Sequence, residues 1–516
     1  MTFQINWIHK RYQYLFLAGI CMASFQTISD YIYFDLKTIQ GHIYVSFIEI
    51  ILQVFIYNIA ISKTSQDGYA SPSRSIAVFF LLNVLVAWYK VIFLEILASA
   101  QTGLDFSSLL PGIITKDFVF ASVADGNADA IAYALYKCKM CVPPAFIPLN
   151  EPFIAYIFVA IAFTAGEFNQ PVLWLTLETI NFYASIILLK ISNSFFPSIR
   201  YPFIIPVIYL LLFEIHGVTL VLFKDGIIVF GLICLFYIYL WIIKNENKAY
   251  YLEIAGAFLV ALIYSLRGGT LFLLIFLTII NFTFDRNRWL SYVRISAGGF
   301  LIFFLALTAI NNFMISNSKI NIVTKELSAI DQVKKSANRT YNYSRGQFTD
   351  LDVHNFDYTS TKENSALNRF KLHEITLSNF FYAPVIKGSL YFLTPLPISI
   401  SINKVDKYHK LSTVIYFIFF PFFLIGFFRI LKNFKCEELY LLVFFVLCVA
   451  LIIGAGPMIL PRYRIMATPF YILIAMMGVS ILSTRSRVLT ICVCTLSLAF
   501  VIFYYKDLYN LIQLNI

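Results

Sequence analysis

Apolar runs of about 17–24 residues recur from one end of this 516-residue chain to the other. That is the length at which a helix crosses a bilayer. Inside hydrocarbon every backbone N–H and C=O must be satisfied within the protein, and runs this long without strict alternation read as helices. Composition agrees: hydrophobic residues are 59% of the chain and charged residues only 13%, about half the charge a soluble domain carries. A soluble enzyme is excluded. An aromatic share of 18%, mostly Phe and Tyr, suits lipid-facing surfaces and interfacial belts. The net charge of +11 therefore reports topology rather than nucleic-acid binding.

The runs fall near 12–29, 42–62, 76–99, 171–191, 202–222, 226–243, 250–266, 268–284, 292–315, 411–431, 438–456, 466–483 and 488–505. A further stretch, 152–166, is too short to span comfortably. Two polar segments interrupt the series, 100–151 and 316–410. With Lys10 and Arg11 in the cytoplasm, and with 152–166 dipping in and returning, the basic loops become cytoplasmic. These carry Lys190/Arg200, Lys244/Lys248, Arg286/Arg288, Arg429/Lys432/Lys435 and Arg485/Arg487. Both long polar segments then lie outside. The expected fold is an all-α integral membrane protein of about 13 transmembrane helices (12–14), with one re-entrant segment and two long extracytoplasmic loops. It divides into N-terminal helices (1–99), a loop with the re-entrant segment (100–170), central helices (171–315), a long loop (316–410) and C-terminal helices (411–516). The start of the chain lacks a small-residue cleavage site and reads as a first helix.

This orientation leaves few charges on short outward loops: Lys224-Asp225, Arg267, and Arg462 with Arg464. Basic residues are disfavoured there, and binding an anion is the simplest reason to keep them. In Ser265-Leu266-Arg267-Gly268-Gly269 the glycines allow close backbone approach, and their N–H groups together with the guanidinium suit a phosphate. A snorkelling interfacial arginine is the plainer reading. In Arg462-Tyr463-Arg464 two forked guanidinium groups suit pyrophosphate, or a lipid headgroup. Glu214 and His216 lie inside an apolar run, and an intramembrane carboxylate is a functional candidate by default; a structural pair with Lys224 is the alternative. Asp30, Asp35, Asp125 and Asp129 read as solvated outer-loop charge. The segment 316–410 offers Arg345 and Arg369 among aromatic and amide side chains suited to sugar rings and hydroxyls. Cys138 and Cys141 form a C-x-x-C without a second pair to complete a zinc site, and no metal site is expected.

With these residues in view, the chain resembles the O-antigen polymerase class of membrane glycosyltransferases, and more loosely the GT-C-like proteins that use polyprenyl-linked donors. The likeness rests on a dozen or so spans, a long outward loop in the C-terminal half, Ser265-Leu266-Arg267-Gly268-Gly269, Phe223-Lys224-Asp225-Gly226, and Arg462-Tyr463-Arg464 ahead of Pro469. It implies a bacterial inner-membrane enzyme that joins undecaprenyl-pyrophosphate-linked oligosaccharide repeat units on the outer face, as in lipopolysaccharide or exopolysaccharide synthesis. Glu214, His216 and Asp225 would be catalytic. Arg267, Gly268, Gly269, Arg462, Tyr463, Arg464, Lys224, Arg345 and Arg369 would bind substrate. The implied partners are the lipid-linked oligosaccharide, membrane lipids and a chain-length regulator, with no cofactor and no nucleic acid. Two rivals stand beside it. One is a transferase that moves a single sugar from a polyprenyl phosphate, although no adjacent acidic pair follows the first span. The other is a glycolipid flippase.

Overall fold

The computed structural model describes residues 17, 19–22, 24–28, 30, 36, 38–62, 72–101, 128–137, 139, 153–168, 170–220, 224–244, 250–266, 277–279, 289–317, 404–433, 435–454, 464–493 and 495. The fold is all-helical, and no strand occurs among the described residues. Among the described residues five helices are long and apolar enough to cross a membrane, so this is a helical membrane protein. Within two of them, Val172–Phe195 and Asp225–Lys244, 83% and 78% of the most apolar window is buried, against 28% for Trp289–Ala306 and Ser412–Asn433. The first two are interior helices, whereas the others expose large apolar side chains such as Leu301, Leu305 and Phe428, as a lipid-facing helix should.

The chain forms two compact units, Met1–Tyr237 with Ser316–Ile320, and Ile238–Ile315 with Asn321–Ile516. The first contains α1 (Gly19–Ile28), α2 (Ile39–Ser46), a π-helical turn (Phe47–Leu52), α3 (Gln53–Ser62), α4 (Pro72–Gln101), α5 (Ala128–Lys137), α6 (Phe153–Ala165), α7 (Gln170–Phe195), α8 (Ile204–Leu211) and α9 (Phe213–Leu220). Helix α10 (Asp225–Lys244) crosses the division.

Several contacts fix the directions of these helices. Thr38 caps α2 by accepting from Gly41 N at 2.9 Å, and its hydroxyl lies 3.3 Å from Glu167 Oε1. Gln40 Nε2 donates to the Thr164 carbonyl at 3.0 Å. The start of α2 and the end of α6 are therefore level. Gly166, at φ 73°, occupies the left-handed region that glycine tolerates, and it turns the chain directly from α6 into α7. Tyr44 Oη lies 3.1 Å from Thr176 Oγ1, so α2 and α7 start at the same end and run together. Helix α4 runs the other way: Lys90 meets Glu49, while the Tyr57 ring packs tilted against Phe79. The segment expected to be one polar loop also holds α5, which packs on the end of α6 through Tyr136–Phe163 and Tyr133–Phe168.

The second unit contains α11 (Tyr250–Leu266), α12 (Trp289–Asn317), α13 (Lys404–Asn433), α14 (Cys436–Gly454) and α15 (Thr468–Ile481). Two neighbouring pairs run parallel. Along α11 and α12, Arg294 makes a two-pronged pair with Glu253 at 2.7 and 2.8 Å, Gly298 faces Ala257, and Tyr264 meets Phe303. Along α13 and α15, Thr413 meets Arg464, Tyr416 meets Tyr471, and Gly426 abuts Gly478. At that last crossing the backbones touch, because neither residue has a Cβ. Close approach over small residues is how helices associate where burial in lipid gives no driving force.

Candidate functional site

The run 202–222 is not one helix, as expected from its hydropathy, but two. Pro206 lies in the first turn of α8, and Leu212 adopts extended backbone at φ −82° and ψ 113° before α9 begins. An interruption frees carbonyls, which in a membrane need donors from the protein. Two side chains supply them, and a third braces α9. His216 Nε2 donates to the Leu210 carbonyl at 2.8 Å. Tyr89 Oη on α4 donates to Leu211 O at 2.9 Å. Asn181 Nδ2 on α7 donates to Ile215 O at 3.1 Å.

The same side chains assemble an acidic centre. His216 Nδ1 shares a short hydrogen bond with Glu178 Oε1, and the other Glu178 oxygen accepts from Asn181 at 3.2 Å. The imidazole lies flat on the Tyr89 ring, with centroids 3.6 Å apart and planes 13° from parallel. Glu178, Asn181, Glu214 and His216 are all at most 3% exposed. Glu178 lies eight residues into α7, about 12 Å along the helix from its start.

This geometry sorts the expected residues. Both His216 ring nitrogens are engaged within the protein, so the histidine holds Glu178 and the interruption in place, and it has no nitrogen left for an acceptor hydroxyl. Glu214, two positions earlier on α9, is fully buried. Asp225 occupies the first turn of α10, where the helix dipole favours an anion, and it and Lys224 are both buried.

Arg464, in the second unit, was expected on an outward loop and is enclosed by protein. It is 0% exposed, with both terminal nitrogens 3.2 Å from Thr413 Oγ1. Its guanidinium sits 4.5 Å from the Tyr416 ring centroid, a cation–π contact strengthened by burial. Thr468 Oγ1 donates to the Arg464 carbonyl at 2.9 Å, and Tyr471 Oη donates to Tyr416 O at 2.7 Å. The arginine therefore pins the start of α15 to α13. Arg267, Gly268, Gly269, Arg345, Arg369, Arg462 and Tyr463 lie outside the described residues, as do Asp35, Asp125, Cys138 and Cys141. Asp30, read from sequence as solvated loop charge, is instead 1% exposed and bonded to Lys90. Three participants escaped the sequence reading: Glu178, Asn181 and Tyr89. Glu178 carried a usable signal, being a carboxylate within an apolar run.

Among the described residues no group of three or more His, Cys, Asp or Glu side chains is placed to hold a metal ion. No protein-family model, no curated protein and no solved structure matches this chain, so the function of the site is argued from its own geometry.

Proposed function

We propose that this chain is an integral membrane glycosyltransferase that joins polyprenyl-pyrophosphate-linked oligosaccharide repeat units on the outer face of a bacterial inner membrane. The observation that carries the reading is the interruption at Leu212. The helix that follows it carries a buried carboxylate, Glu214, and, two residues on, His216, which is held by Glu178 and Tyr89 from two other helices. A carboxylate kept from water is suited to general-base work. In the proposed reaction the acceptor hydroxyl attacks the anomeric carbon of the lipid-linked sugar, Glu214 takes the hydroxyl proton, and the anomeric C–O bond to pyrophosphate breaks. Arg267 and Arg462 are assigned to the departing diphosphate, whose developing charge they would offset. Arg464 is given a packing role instead.

The topology belongs to the same proposal: about 13 spans, with 152–166 re-entrant. Helix α4 ends, and α7 begins, at the end of the unit where α6 also finishes. The chain between α4 and α7 thus leaves from and returns to one face. At 13 residues α6 is about 20 Å long, short of the roughly 30 Å hydrocarbon core.

The test is gel analysis of surface glycan in a deletion strain complemented with the wild type or with Glu214→Gln. A single-repeat product without the gene, restored to long chains by the wild type alone, supports the polymerase. A missing single decoration supports the one-sugar transferase. The flippase reading draws on a specific observation too, since interrupted helices and membrane-buried charges also build transporters. It predicts lipid-linked oligosaccharide crossing reconstituted liposomes without elongation.

A further inference from the structure

Away from the interrupted helix, a second set of buried charges joins three elements of the first unit. Lys90 Nζ on α4 lies 2.5 Å from Asp30 Oδ2, just beyond the end of α1, and 2.8 Å from Glu49 Oε1 in the π-helical turn. All three residues are at most 5% exposed. Two carboxylates against one ammonium leave one negative charge unbalanced, and an isolated charge in such a place is costly. A single inserted residue of the π type often marks a functional position, and here it aims Glu49 at the lysine.

A separate observation points the same way. Asp30 Oδ1 and Glu49 Oε2 meet no hydrogen-bond donor among the described residues, and neither do the amide oxygens of Gln26 on α1, Gln53 at the start of α3 and Asn83 on α4. All five are buried acceptors, so the interface is short of hydrogen as well as of positive charge. Among the described residues the neighbouring titratable groups do not supply it. The Tyr183 hydroxyl donates to Ile48 O, Tyr89 to Leu211 O, Tyr44 pairs with Thr176, Tyr57 bonds to the Phe79 backbone, and the Glu178–His216 pair is closed on itself.

We propose that Asp30 and Glu49 together bind one exchangeable proton, with Lys90 as the fixed counter-charge, forming a proton-binding site where α1, the π-helical turn and α4 meet. Two acids that touch the same ammonium cannot both ionise without cost, and sharing one proton resolves it. A sodium ion would supply the same charge but needs several oxygens around one point. Gln26, one turn from Asp30, and Gln53, one turn from Glu49, share helix faces with the carboxylates, so sodium is the rival occupant that the experiment must separate from a proton. Buried water suits those amides. The site stands independently of glycan transfer.

Infrared spectroscopy of the full chain in lipid nanodiscs tests this by the C=O stretch of a protonated carboxyl group at neutral pH. The wild type should show such a band, shifted in D2O. The wild-type-minus-variant difference spectrum should show the band for Asp30→Asn and for Glu49→Gln alike, because either leaves a balanced lysine–carboxylate pair while other buried carboxyl groups such as Glu214 cancel. A difference spectrum without the band overturns the proposal, and so does a band that appears only when sodium is removed. A second readout needs no variant. A proton held only in the folded state makes stability fall as pH rises through its release. The wild-type melting temperature should therefore drop on alkalinisation and not be restored by sodium. A flat profile, or rescue by sodium, refutes the site.

Discussion

Substituting Gly478 by alanine should loosen the packing of α13 on α15 by a calculable amount. A Cβ placed there would stand 2.8 Å from the Phe422 carbonyl carbon and 3.0 Å from Gly426 N, and closer still to the Phe422 oxygen, where ordinary contact begins at 3.4 Å. The obstacles are backbone atoms and cannot rotate away, so the helices must separate by more than half an ångström. The Phe423–Tyr471 stack, at 4.8 Å between centroids, is strained by the same movement. Overpacking of this kind costs about 3 kcal/mol at the upper end of its usual range. Alanine's better helix propensity offsets about 1 kcal/mol, leaving a net loss of about 2 kcal/mol, or roughly thirtyfold in the folding equilibrium. Reversible unfolding in mixed micelles measures this directly. Gly298→Ala is the control: its Cβ meets only the Ala257 methyl, at 3.2 Å, so the propensity gain should leave it near neutral. Equal losses at the two positions would refute the argument from close approach.

Further expectations follow from other contacts. His216→Ala strands the Leu210 carbonyl and removes one partner of Glu178, and should cost about 1–3 kcal/mol in the same unfolding assay; a loss under about 0.5 kcal/mol would show that the interruption holds without it. Arg464→Ala empties a fully buried site and should destabilise by about 3 kcal/mol, whereas Arg462→Ala should reduce glycan elongation at unchanged melting temperature; the reverse pattern would return the substrate role to Arg464. Glu253→Gln, which weakens a pair whose arginine is 36% exposed, should change stability by less than about 1 kcal/mol. Reporter fusions after Gln170 and after Asn193 should read outside and inside; the opposite pair would refute the re-entrant assignment of 152–166.

The helices themselves were legible because each must present about twenty apolar residues to lipid, a constraint local in sequence. The runs near 76–99, 226–243 and 250–266 coincide with α4, α10 and α11 to within a few residues. What stayed hidden depends on partners far along the chain. Nothing between 202 and 222 announces a break at Leu212, because the donors that stabilise it include Tyr89 and Asn181, 122 and 34 residues from the carbonyls they reach. Asp30 looked like solvated charge because its partner lies 60 residues on. Arg464 looked like an anion site because a cation beside an apolar run was assumed to need water or phosphate, when an aromatic face and a threonine hydroxyl serve instead. Lys90, Glu49 and Glu178 were visible all along as ionisable residues inside apolar runs, a signal that depends on depth rather than on motif.

The parallel pairing of α13 with α15 also bears on how the chain is made. Parallel neighbours cannot close as a hairpin, since α14 must first carry the chain back across the bilayer. The contact of Gly426 with Gly478 thus waits for 52 further residues. At roughly 5–20 residues per second, α13 spends about 3–10 s inserted with its glycine face unmatched. During that interval the exposed groove is open to any other small-residue helix in the membrane. Assembly of this half of the protein is therefore paced by translation and depends on the insertion machinery shielding a helix whose mate has not yet been synthesised.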